Sequence, residues 1–120
     1  MFWPIGIQIA GAAAIVVALI HGVAAEVRLF PNVTAASAAH VVLLRFVWQA
    51  STLAWITFGM LLVASPWIGR APIRWIAAAA MVDFALGAAG GLIATGPTHY
   101  GWMLLTTLAA LVGLATPWLS

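Results

Sequence analysis

Cysteine and lysine are both missing from this chain of 120 residues, and only four Arg and two acids carry formal charge. Without Cys there is no disulfide, thiol redox centre or iron–sulfur cluster, and the redox compartment leaves no trace in the sequence. Without Lys there is no Schiff base, which excludes a retinal or pyridoxal adduct. Charged residues make up 5% of the chain, against about 25% in a soluble domain. No solvated surface can be assembled from so few. The basic pI of 10.7 does not point to nucleic acid, because the Arg residues are scattered rather than patched, and no nucleic-acid partner is expected.

What the chain has instead is apolar length. It is 66% hydrophobic with a mean hydropathy of +1.18. A membrane crossing needs roughly 20 apolar residues at 1.5 Å each, and four segments qualify: about 5–25, 39–64, 74–94 and 99–118. Glu26 and Arg28 end the first, and a loop over 29–37 turns at Pro31-Asn32. Ser65-Pro66 stops the second, and Thr95-Gly96-Pro97-Thr98 separates the last two. The expected fold is an all-α membrane protein, a single domain of four transmembrane helices in an up-down-up-down bundle. No Arg or Lys precedes the apolar residues 1–25, so the basic segment of a signal peptide is missing and this stretch reads as a retained span.

Tryptophan agrees with four crossings. Trp3, Trp67, Trp75 and Trp118 fall on one side and Trp102 on the other, as indoles at a membrane interface do. Trp48 and Trp55 lie within the second span, seven residues apart and so on one helix face, where packing or lipid contact is expected. Arg70 and Arg74 place the loop near residue 70, and with it both termini, on the cytoplasmic side. Arg28 and Arg45 narrow that bias.

Polar residues inside the spans are the candidate sites. Arg45, Gln49 and Thr52 follow i, i+4, i+7 spacing and share a stripe of the second helix. Arg45 lies about 9 Å below the outer edge, so it either snorkels to headgroups or pairs with Asp83 or Glu26. Asp83 is too deep to reach either interface, and a carboxyl there is protonated, paired or beside water. Gly87 and Gly91 continue its face at small-xxx-small spacing, which admits a neighbouring helix. His21, His40 and His99 all fall on the outer side with Glu26, a set that suits a metal or haem only if packing gathers it. His40 and His99 read better as helix caps or headgroup contacts.

Three short patterns resemble a group of small uncharacterised four-span bacterial inner-membrane proteins. They are His21-x-x-x-x-Glu26-x-x-Leu29-Phe30, Leu44-Arg45-x-x-Trp48, and His99-x-Gly101-Trp102. Where that group tends to have His after the Trp, this chain has Gln49, which would remove one ligand from any metal site there. The resemblance implies the four-helix architecture and marks His21, Glu26, Arg45 and His99 for mutation.

The leading functional expectation is a non-enzymatic accessory or structural subunit of the bacterial inner membrane. It would work through helix–helix packing, with the lipid bilayer and other membrane subunits or its own copies as partners. A proton or small-ion transporter using Asp83 and Arg45, with Gln49 on the path, is the first alternative. A haem- or metal-binding redox bundle using His21, His40 and His99 is the second. No nucleophile–base pair is present to support an enzyme, and the sequence names no cofactor.

Overall fold

The structure, a computed structural model, describes residues 3–34 and 37–119. Those residues form helices and connections only. The first helix, α1 (Ile5–Ala24), runs on without a break through a π turn (Ala25–Leu29) and a 3-10 turn (Phe30–Asn32). After it come α2 (Ala38–Val63), the single turn α3 (Ser65–Ile68), α4 (Arg70–Thr95) and α5 (Gly101–Ala115).

Local chemistry explains the boundaries. The Ser37 hydroxyl accepts from the His40 backbone N–H and caps α2. Pro66 stands in the first turn of α3, where its missing N–H costs nothing. Gly69 and Gly96 take φ of +91° and +79°, a region open to Gly, and so turn the chain into and out of α4. Pro117 holds Thr116 extended and ends α5.

The spans expected from hydropathy therefore shift. The first helix continues to Asn32, so the expected loop over 29–37 starts later, and residues 35 and 36 lie outside the described part. The third helix starts at Arg70, four residues before the expected position. The fourth is shorter than 99–118: α5 has 15 residues, about 22 Å of rise against roughly 30 Å of bilayer core. Three helices, Ile5–Asn32, Ala38–Val63 and Arg70–Thr95, are long and apolar enough to cross a membrane, and the fourth apolar helix is a shorter one.

The long helices run alternately up and down. Gln8 Nε2 donates to the Val63 carbonyl at 3.1 Å, Gly11 faces Gly59, and Gly22 faces Gln49 and Thr52. Rising numbers on α1 thus meet falling numbers on α2. The same holds for α4 on α5, where Arg74 Nε donates to the Pro117 carbonyl at 2.7 Å and Gly87 meets Leu105. The two hairpins close by packing α1 on α5 and α2 on α4.

The core follows helical spacing. On α1 it takes Ile7, Ala10, Gly11, Ala14, Ala18 and Gly22, a stripe of small residues. Ile73, Ala77, Ala80 and Phe84 of α4 and Leu105, Leu108 and Val112 of α5 complete it. A Cβ on Gly11 would stand 2.6 Å from the Gly59 carbonyl oxygen, so the two backbones touch there. Large apolar side chains also cover the outside, with Ile93 86% and Trp75 80% exposed.

Candidate functional site

The π turn builds one end of the site. Its wider coil begins at Ala25, whose N–H bonds the His21 and Gly22 carbonyls, and both of these carbonyls accept a second bond from α2. Trp48 Nε1 donates to His21 O at 3.2 Å, and Gln49 Nε2 donates to Gly22 O at 3.2 Å. Gln49 Nε2 also donates to Glu26 Oε1 at 3.0 Å. Gly is required at position 22, because a Cβ there would press on Thr52 Cγ2 at 2.9 Å and Gln49 Oε1 at 3.0 Å. Single-turn π segments inside helices recur at functional positions, where the extra residue re-aims neighbouring side chains.

Glu26 lies in this π turn. Its Oε2 lies 3.3 Å from Nη2 of Arg45, with the two side chains 43% and 52% exposed. An ion pair that open to its surroundings contributes little stability; its effect is on position. The Arg45 guanidinium also lies over the Phe30 ring, 5.2 Å from its centroid. The Arg45 partner left open between Asp83 and Glu26 is therefore Glu26.

From Phe30 a row of rings crosses the bundle. Phe30 meets Trp48 edge-on at 6.2 Å. Trp48 stacks on His21 at 4.5 Å with planes 5° apart, and His21 meets Trp55 at 4.4 Å, tilted by 48°. The Trp55 side chain reaches the Asp83 carboxyl on α4. The row thus runs from a guanidinium on α2 to a carboxyl on α4, and the imidazole of α1 is clamped between two indoles of α2. Trp48 and Trp55 pack inward, which their seven-residue spacing allowed but did not decide.

Two polar atoms of this row are buried without a hydrogen-bond partner: His21 Nε2 and Asp83 Oδ2. An atom in that state costs about 1–3 kcal/mol, so each calls for an explanation. The Asp83 side chain also borders a shallow groove between α2 and α4 lined by Phe58, Trp75, Ala79 and Leu86.

The remaining sequence candidates lie apart from this row. His40 Nδ1 pairs with the Ser37 hydroxyl at 2.8 Å in the α2 cap. His99 Nδ1 accepts from the Gly101 N–H at 3.2 Å, and its ring stacks on Tyr100. Among the described residues, no three His, Cys, Asp or Glu side chains gather as a metal site requires. The histidine set considered for metal or haem, His21, His40 and His99, is not brought together. Gly87 is a close approach, with Trp55 Cζ2 and Leu105 Cδ1 each 3.0 Å from a built Cβ. Gly91 is not: its nearest neighbour, Trp102 Cβ, would stand 3.9 Å away.

The ring of Phe30 and the Gln8 bond to α2 are contacts that sequence reasoning missed. Gln8 had a signal, being the single amide in an otherwise apolar span. Phe30 entered only as the end of the pattern that begins at His21, and its contact with Arg45 depends on the helix continuing past Glu26. No protein-family model, curated protein or solved structure matches this chain.

Proposed function

We propose that this chain is an integral protein of the bacterial inner membrane, crossing it four times, and that it works without catalysis, as an accessory or structural subunit. Its activity on this reading is helix–helix contact, within a homo-oligomer or a larger membrane complex.

The observation that carries the proposal is the outer surface. Phe46, Trp67, Trp75, Ile93 and Leu114 are each more than 70% exposed, and comparable apolar residues surround the bundle on all its long helices. Monomeric soluble proteins rarely present apolar patches above a few hundred Å². Lipid or another helix is the medium that such a surface fits. The shorter α5 crosses by thinning the bilayer locally or by using the flanking residues around Tyr100 and Trp118 as interfacial anchors. At one end Arg70 lies 5.9 Å from the Trp3 ring centroid, with Arg74 bonded near Trp118. Arg and Trp gathered in this way fit a cytoplasmic interface, which would put both termini inside.

Two measurements test the reading. After alkaline carbonate washing, the protein should stay with the membrane pellet; release into the supernatant overturns the membrane assignment. In mild detergent, its protein mass by light scattering should be a defined multiple of 12.5 kDa or that of a larger complex. A stable monomer that holds no other subunit removes the subunit role.

A further inference from the structure

His21 Nε2 and Asp83 Oδ2, the two unpartnered polar atoms of the ring row, both belong to neighbours of Trp55. One belongs to a base and the other to an acid. The imidazole ring approaches the Trp48 backbone, and its Nε2 is buried without a partner. In the tautomer with its hydrogen on Nδ1, Nε2 keeps a free lone pair. Trp48 lies parallel to the ring at 4.5 Å, so it offers the face of an indole, which favours a cation.

We infer that the His21–Trp55–Asp83 row is a buried proton-binding site. One proton taken from water forms a bond with the Nε2 lone pair, Nδ1 keeps its hydrogen, and no other bond changes. The Asp83 carboxylate of α4 balances the imidazolium across the Trp55 indole. This function is additional to helix contact and does not require any particular oligomeric state.

The other charged groups around His21 leave that balance intact. On its own helix end, Glu26 is taken up by Arg45 of α2, and the two charges offset each other. Arg28 is exposed beyond them. His40, in the first turn of α2, is engaged with Ser37. Neither α3 nor α5 carries a titratable side chain; α4 carries Asp83 together with Arg70 and Arg74, which lie at its other end against Trp3 and the Pro117 carbonyl.

The test is nitrogen NMR of protein carrying isotope-labelled histidine, in detergent micelles, from about pH 8 to pH 4. His40→Gln and His99→Gln, both away from the ring row, assign the His21 signals by elimination. In wild type, His21 Nε2 should gain its proton in one step, and Trp emission should fall in the same step. In Asp83→Asn, proton binding at His21 should weaken about tenfold. A His21 ring that stays neutral throughout, or that binds the proton equally in both proteins, overturns the inference. Should Asp83→Asn lose its helical circular dichroism, the wild type decides alone. Asp83 is the single Asp of the chain, so labelled aspartate reports one carboxyl, and its signal must move at the His21 midpoint. Movement at an unrelated midpoint overturns the site.

Discussion

The α1–α2 seam and the α2–α4 seam are built from opposite materials. Along α1 the hidden residues are small, and backbone meets backbone at Gly11 and Gly59. Close approach lets polar bonds form between helices, and three side chains of this seam donate directly to backbone carbonyls: Gln8, Trp48 and Gln49. Between α2 and α4 the helices are held by bulk. Phe58 meets Phe84 edge-on at 6.4 Å, and Trp55 fills the space above Gly87. Small residues give reach for hydrogen bonds, whereas large ones fill volume and keep the helices apart. One helix, α2, carries both solutions on adjacent faces.

That contrast predicts opposite sensitivities. Removing volume should damage the α2–α4 seam most. Phe84→Ala empties a fully buried position and should cost about 3–5 kcal/mol in unfolding experiments in mixed micelles. A loss below about 1 kcal/mol would show that the seam collapses around the hole or is not closed there. Adding volume should damage the other seam. In Gly59→Leu a Cβ would stand 2.7 Å from Gly11 O and 2.6 Å from Ile15 Cγ1, with an expected cost of about 2–3 kcal/mol. Gly90→Ala is its control, because nothing lies within 4 Å of a Cβ there, and it should be neutral or stabilising by up to about 1 kcal/mol. If both variants behave alike, the α1–α2 contact is looser than described.

The smallest effect belongs to the polar end. A double-mutant cycle of Glu26→Ala and Arg45→Ala should give a coupling below about 1 kcal/mol, since both side chains are about half exposed. Added salt should shrink it further. A coupling of several kcal/mol would mean that the pair is shielded far more than its exposure indicates, and the two seams would then differ less than drawn.

Much of this architecture was legible residue by residue. Four apolar runs, their breakers and the mid-helix position of Asp83 all follow from hydropathy and from Gly and Pro. Glu26 was available as a partner for Arg45, whereas the residue that caps α2 is Ser37, with His40 bonded to it, and His99 lies one residue ahead of the Tyr100 cap of α5. The π turn was not legible, because widening a helix by one residue depends on what the neighbouring helix offers its carbonyls. Gly91 shows the same limit. Its spacing with Gly87 advertised close packing, yet α5 approaches at one and stands off at the other.

The sequence by itself determined that the chain is helical, where its helices break, and that their outsides are apolar. Those are local properties: backbone hydrogen bonds close within each helix, and side-chain transfer preferences are set residue by residue. Only the tertiary structure decided that His21 lies between Trp48 and Trp55, that Arg45 goes to Glu26, and that Asp83 meets an indole. Those pairings depend on the rotation and depth of each helix against its neighbours, and a turn of 100° per residue hides both from any reading along one strand of sequence.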